Sequence, residues 1–123
     1  MANSKASQAV SLPVPLASNQ GALTSLQFDF NTTTATPYEL IALASGIQIM
    51  VSAIFLYYYN GTGNWWLNSN GNQKFWGRAI ADTTEFFNFY PNAIVGELSQ
   101  NLDIETSSDG IDIKGVVWYK LYG

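Results

Sequence analysis

Acid–base chemistry in this sequence would have to come from carboxylates. The chain contains nine Asp and Glu residues but neither histidine nor cysteine. This composition excludes serine–histidine and cysteine–histidine catalysis within the chain, together with zinc sites built on those residues, thiol redox chemistry and disulfides. Two pairs of acids that lie close in sequence are Asp103 with Glu105 and Asp109 with Asp112.

Neither pair of acids predicts a catalytic or metal site. Asp103 and Glu105 share one face of a predicted strand, and Asp109 and Asp112 bracket a predicted hairpin turn. A glycosidase needs two carboxylates at a defined separation across a cleft, and nothing in the sequence places such a pair. The segment SSDGID lacks the ligand density of a calcium-binding loop. We therefore expect a protein that is not an enzyme, with no cofactor and no catalytic or metal-binding residues.

Aromatic side chains are the other group that could recognise a partner. They form 15% of the chain, and Trp65 and Trp66 are adjacent. Adjacent residues of a strand point to opposite faces, so one member of such a pair needs cover outside the core. The outward member would join a subunit interface or a surface that stacks on sugars. The charged fraction is only 11%, which favours the interface. The candidate residues are Tyr58, Trp65, Trp66 and Trp76.

The charge distribution argues against nucleic acid as a partner. Five Lys and Arg residues stand against nine Asp and Glu residues, for a net charge of −4. Binding to nucleic acid needs a basic face. The basic residues are instead scattered along the chain, at Lys5, Lys74, Arg78, Lys114 and Lys120.

The uncharged stretch from Leu40 to Tyr59 has the length of a membrane helix. Gly46 and Gln48 interrupt it, and no basic residue flanks it. Its second half alternates with the period of a strand, so that one face receives Ile47, Ile49, Val51, Ala53 and Phe55. We therefore predict strands rather than a membrane span, at Tyr38–Ala44 and Ile47–Tyr59, joined by a tight turn at Ser45–Gly46.

The chain from Leu23 onward has the pattern of short strands separated by turns. Asparagine and glycine mark turns at 60–63 and 68–72, and Asp109–Gly110 predicts a hairpin turn before the last strand. About eight strands with turns every ~8–12 residues predict an all-β, jelly-roll-like antiparallel β-sandwich. We assign this domain to residues 23–123.

Residues 1–22 form a predicted extended N-terminal arm. Pro13 and Pro15 hold the backbone extended and remove amide donors, which suits an edge or groove of another protein. The apolar side chains that would make the contact are Val10, Leu12, Val14 and Leu16. The alternative is a loose tail, since termini are often poorly ordered. The segment does not fit a secretory signal, because the prolines interrupt its apolar stretch.

The arm and parts of the domain resemble proteins of tailed bacteriophages. The segment KASQAVSLPVPLASNQGAL, residues 5–23, resembles an extended VSLPV-x-LAS-[DN]-Q element of phage virion proteins. The segments TATPYELIALASGIQIMVSAIFLYYY and GELSQNLDIETSSDGIDIKGVVWYKLY resemble a small all-β domain common in phages and prophages. The region 60–92 departs from that pattern, because it is richer in Trp, Phe and Asn.

The resemblance implies a structural virion protein without catalysis. We expect a capsid decoration (cement) protein that binds the outside of the head, with the major capsid protein or another virion protein as partner. A homotrimer made in the host cytoplasm is the favoured assembly. The alternative is a tail-tip or fibre module for host-surface glycans, or a membrane-associated phage protein. The glycan module would use Trp65, Trp66, Phe75 or Trp76 for stacking and Asn68, Asn70 or Asn72 as donors.

Overall fold

A computed structural model describes residues 22–31, 37–42 and 45–123. These residues form nine β-strands in two antiparallel sheets that pack face to face. Sheet A has the order β1-β9-β3-β6, with β7 also paired to β3, and sheet B has the order β2-β8-β4-β5. The strands are β1 (Thr24–Phe30), β2 (Tyr38–Ile41), β3 (Gln48–Asn60), β4 (Gly63–Ser69), β5 (Asn72–Ala79), β6 (Thr83–Asn88), β7 (Ile94–Val95), β8 (Leu102–Thr106) and β9 (Asp112–Tyr122).

The hydrophobic core lies between the two sheets. Alternate residues of β8 are buried and half-buried, as expected for a strand with one face on the core. Burying these side chains removes apolar surface from water and supplies most of the stabilisation. Fully buried residues from both sheets include Phe30, Ile54, Leu56, Leu67, Ile104 and Val117. The predicted all-β sandwich is therefore confirmed.

Strand β3 confirms the long predicted strand but corrects which of its residues share a face. The register between β3 and β9 shifts between Val51 and Ala53, so Ser52 is an extra residue in the ladder. Because side chains alternate, one inserted residue reverses the faces that follow it. Ile54 is therefore buried, and Phe55 is half-buried on the other face of the sheet. The prediction that Phe55 shares a face with Ile49 and Val51 was wrong for this reason.

The Asp109–Gly110 turn is not the hairpin that the sequence predicts. Strand β8 pairs within sheet B, and β9 pairs within sheet A, so the turn carries the chain from one sheet to the other. A tight hairpin instead joins β4 to β5 at Asn70–Gly71, where both residues have positive φ. Beyond this hairpin the register shifts at Lys74, and this shift places Trp66 opposite Trp76.

The described residues of the uncharged stretch 40–59 belong to strands β2 and β3 and the turn between them, not to a helix. Within the described ranges, no helix has the length and apolarity needed to cross a membrane. Residues 1–21 of the predicted arm, with the contact residues Val10, Leu12, Val14 and Leu16, lie outside the described residues. The arm and its boundary with the domain between residues 22 and 23 therefore stay predictions. The described chain enters sheet A through β1, which is an outer strand of that sheet.

Candidate functional site

Two of the four predicted surface aromatics lie in the core. Tyr58 is 1% exposed and Trp65 is fully buried. The Ser52 bulge reverses the facing of the second half of β3 and turns Tyr58 inward, and Trp65 faces inward from β4. Neither ring can contact a sugar or another protein, so the prediction was wrong for both residues.

The inward position of Trp65 depends on the glycine opposite it. Trp65 pairs with Gly77 on β5, and a Cβ built on Gly77 would lie 2.6 Å from Cζ2 of the indole. The absent side chain therefore gives the ring its space. Phe75 and Phe87 pack against the same ring, with centroid distances of 6.0 and 6.1 Å. Phe75 is thus a packing residue rather than the sugar-stacking residue of the glycan alternative.

A hydrogen-bonded chain satisfies the polar atoms of these buried rings. Trp65 Nε1 donates to the Tyr58 hydroxyl over 2.9 Å, and that hydroxyl donates to the carboxylate of Glu85 on β6. Burial, with the hydrogen bond to Glu85, raises the pKa of Tyr58 well above its usual range. The phenol therefore stays protonated and keeps donating, which makes this a structural network.

The outer face of sheet A carries an apolar patch that extends from β9 across β3 to the outer strand β6. Across three neighbouring strands, Phe86 lies opposite Phe55, and Phe55 lies opposite Val116. Trp118 adjoins them, with its ring 6.0 Å from that of Phe86 in an edge-to-face contact. Phe86 is 56% exposed, and the other three are half-buried. We call these four residues the aromatic face.

Polar groups border the aromatic face on the side of β1. The Tyr59 hydroxyl donates to Asp29 over 2.8 Å, and Lys114 Nζ lies 4.8 Å from the centre of the Tyr59 ring. A shallow depression of about 450 Å³ lies between this polar group and the patch. Its lining includes Gln27, Asp29, Phe55, Tyr57, Lys114 and Val116. An apolar centre with a polar margin is the usual anatomy of a protein–protein contact.

Sequence reasoning missed the aromatic face as a unit. The sequence shows that Phe86 and Phe87 are adjacent, but it does not show the contribution of Phe55, Val116 and Trp118. One signal was available, because the segment GVVWYKLY is rich in large apolar residues at both odd and even positions. Such a strand has apolar side chains on both faces.

The outer face of sheet B holds the other two predicted aromatics. Trp66 on β4 lies directly opposite Trp76 on β5 and directly opposite Glu105 on β8. Trp66 Nε1 donates to Glu105 Oε1 over 3.1 Å, and Asn68 Nδ2 donates to the same oxygen over 2.7 Å. Trp76 is 62% exposed. We call Trp66, Trp76, Asn68 and Glu105 the indole face.

Carboxylates extend the indole face toward β2. Asp103 and Glu105 project from the same side of β8, as predicted, and Glu39 lies opposite Asp103. Burial raises the pKa of Asp103 above its usual value, with further increases from the charges of Glu39 and Glu105, while the hydrogen bond from Asn101 opposes them. Over the described part of the chain, no three His, Cys, Asp or Glu residues are grouped so that they could hold a metal ion.

The other predicted donors lie at the end of the β4–β5 hairpin. Asn70 occupies the turn itself. Asn72 Nδ2 donates to Glu97 Oε2 over 3.5 Å, and Lys74 forms an ion pair with the same carboxylate. Of the three predicted asparagines, Asn68 is the one that the structure brings to Trp66.

Comparison with known proteins gives little beyond the architecture. No protein-family model matches the chain, and no curated protein matches it. Among solved structures, the chain is similar to the CBM36-1 domain of a multidomain xylanase from the hindgut metagenome of Trinervitermes trinervoides. The two share 14% sequence identity with a TM-score of 0.37, over 85% of this chain and 90% of the other. At that level of similarity, nothing about ligand or activity transfers.

Proposed function

We propose that this chain is a non-catalytic structural protein of a tailed-phage virion. Its role is that of a decoration protein bound to the outside of the head. The observation that carries the proposal is the aromatic face, where large apolar side chains lie on the outer face of sheet A. The resemblance of residues 5–23 to an extended element of phage virion proteins supplies the virion context.

The aromatic face supports a protein contact because of its composition. An outer sheet face that meets water normally carries polar side chains. Here Phe55, Phe86, Val116 and Trp118 cover three adjacent strands without an intervening charge. Aromatic residues are enriched at the centres of interfaces, and charged residues are depleted there. Covering this patch would remove it from water and stabilise the complex.

Repetition would make modest contacts sufficient. A head presents many equivalent sites, so a homotrimer engages several at once and gains affinity without new kinds of contact. The arm would add a second attachment, with Val10, Leu12, Val14 and Leu16 lying along a neighbouring subunit or the shell. The net charge of −4 suits an outer surface that should not bind nucleic acid.

Immunogold labelling of intact virions of the source phage tests the proposed location. An antibody against this chain should label heads over their whole surface. Label confined to the tail would instead support the tail-tip or fibre alternative. Absence of label from virions, with the protein detected in infected cells, would contradict a structural virion role.

A further inference from the structure

We propose that the indole face of sheet B is a binding site for a neutral glycan. The ligand would stack its sugar rings on Trp66 and Trp76 and place its hydroxyl groups against Asn68 and Glu105. This site lies on the opposite side of the sandwich from the aromatic face, and it does not depend on the proposed attachment to a virion head.

The two indoles come from directly opposed positions on one face of sheet B. Directly opposed residues of antiparallel strands have Cβ atoms about 4.5–5.5 Å apart, and Trp66 and Trp76 are such a pair. Strand β5 is the last strand of its sheet, so Trp76 has open space beside it. Its exposure of 62% leaves most of the ring available to a ligand.

Trp66 is held in position before any ligand arrives. Its Nε1 donates to Glu105 Oε1, and Asn68 Nδ2 donates to the same oxygen. Fixing a side chain in the free protein lowers the entropic cost of binding. With the polar atom of the indole already satisfied, the part of the ring left for a ligand is its apolar face, which is the part that stacks on sugar C–H groups.

Polar side chains lie next to the indoles on the same face of sheet B. Asn68 lies two residues after Trp66 on β4, and Glu105 lies opposite Trp66 on β8. Asn64 lies two residues before Trp66 and pairs with Arg78 on β5. Arg78 NH1 donates to Asn64 Oδ1 over 3.4 Å, a weak contact that a ligand could replace. An apolar surface bordered by a few amide and carboxylate groups fits a ligand with apolar faces and hydroxyl edges.

Charge decides between neutral and acidic glycans. Glu39, Asp103 and Glu105 lie on this one sheet face, in neighbouring register positions. The raised pKa of Asp103 reflects in part the repulsion from the other two carboxylates. A uronate, sialate or phosphate group would add another negative charge beside them and be repelled. Neutral sugars have hydroxyl groups that donate to these carboxylates without that repulsion.

The same charge pattern separates this site from a second protein contact. The aromatic face has no charged residue among its four members, whereas the indole face contains Glu105 beside Trp66. Charged residues are depleted at the centres of protein interfaces. We therefore assign the indole face to a sugar ligand and the aromatic face to a protein partner.

Affinity electrophoresis of the full-length protein tests the assignment. Native gels would contain dextran, mannan, galactan or xylan as neutral polysaccharides, and alginate or polygalacturonate as acidic ones. We expect at least one neutral polysaccharide to slow the protein. Trp76→Ala should weaken this binding by about tenfold or more, since a central indole commonly dominates a binding surface. Phe86→Ala, on the aromatic face, is the matched control and should bind as the parent does.

Three outcomes would overturn the assignment. These are no retardation in any neutral gel, stronger retardation in acidic gels, or equal retardation of Trp76→Ala and the parent chain. Because Trp76 is exposed, its substitution should leave the fold intact, which circular dichroism of the variant verifies. Loss of capsid binding in Phe86→Ala with intact polysaccharide retardation would separate this site from the proposed virion attachment.

Discussion

The indole nitrogen of Trp65 donates a 2.9 Å hydrogen bond to the hydroxyl of Tyr58 across the space between the two sheets. The same hydroxyl donates a hydrogen bond to Glu85, which precedes Phe86 on β6. The network therefore ties an outer strand of sheet A to the core. Since Phe86 is the most exposed member of the aromatic face, this buried network helps to position the surface that we propose for attachment.

Removing the Tyr58 hydroxyl should destabilise the fold. In Tyr58→Phe, Trp65 Nε1 loses its acceptor, and Glu85 loses its donor. A buried donor left without a partner costs about 1–3 kcal/mol. We expect the free energy of unfolding in urea to fall by about that amount.

Tyr57→Phe is the matched control for this substitution. The Tyr57 hydroxyl bonds to Asp82 over 3.3 Å at the surface, where water can replace it. Its loss should change the free energy of unfolding by less than about 0.5 kcal/mol. Equal destabilisation by the two variants would show that the buried network contributes nothing beyond a surface contact.

A side chain at Gly77 should displace Trp65. In Gly77→Ala, the new methyl would meet the indole at 2.6 Å, well inside van der Waals contact. Overpacking a core in this way costs about 1–3 kcal/mol. Arg78→Ala, at the exposed neighbouring position, should be nearly neutral. A Gly77→Ala protein with unchanged urea midpoint and unchanged tryptophan fluorescence would contradict the proposed packing.

Because the pKa of Asp103 is raised, replacing its carboxylate by a neutral amide should stabilise the fold at neutral pH but not at low pH. Because the folded-state pKa lies above that of the unfolded chain, the folded protein binds more protons between the two values. Stability from this site therefore falls as the pH rises through that window. Asp103→Asn removes the charge, so its urea midpoint should exceed that of the parent at pH 7. Near pH 3, where Asp103 is protonated, the difference should vanish.

Glu97→Gln gives the control of opposite sign. The hydrogen bond and charge of Lys74 lower the pKa of Glu97, so its ionised form favours the fold. This variant should show no gain in urea midpoint at pH 7. A gain of equal size in both variants would indicate that the general acidity of the chain, rather than the site of Asp103, sets the effect.

The sequence was sufficient for much of the architecture. Alternation in β3 and β8, together with the asparagine and glycine at 68–72, predicted strands and a turn that the structure contains. The Ser52 bulge was not predictable from local pattern, because serine fits a strand position and a bulge equally well. The local sequence pattern also could not predict which of the two sheets each strand joins. For that reason the Asp109–Gly110 turn, despite its hairpin sequence, connects two sheets.

Only part of each candidate surface could be predicted from the sequence. Adjacency of Trp65 and Trp66 showed that one ring must face outward, but the choice depends on Gly77, twelve positions further along. The outward placement of Phe55 depends on the Ser52 bulge, and its grouping with Phe86 and Val116 depends on long-range register. Pairing between distant strands thus decides which aromatics meet on one face.

The arm should contribute to attachment in addition to the domain. A chain that begins at Gly21 loses Val10, Leu12, Val14 and Leu16 but keeps every described strand. Loss of one of two linked contacts can lower overall affinity by orders of magnitude. We expect this chain to bind capsids at least about tenfold more weakly than the full-length chain. Equal binding by both chains would contradict a role for the arm and show that the sandwich domain alone binds the capsid.

The central claim is that the aromatic face holds the protein on a phage head, and co-sedimentation with empty capsids of the source phage tests it most directly. The assay compares the full-length chain with Phe86→Ser and with Trp76→Ser as the matched exposed aromatic on the other sheet. We predict that the parent and Trp76→Ser pellet with capsids. Phe86→Ser should bind capsids at least about tenfold more weakly than the parent. A parent chain that stays in the supernatant, or a Phe86→Ser variant that pellets as the parent does, would contradict the account.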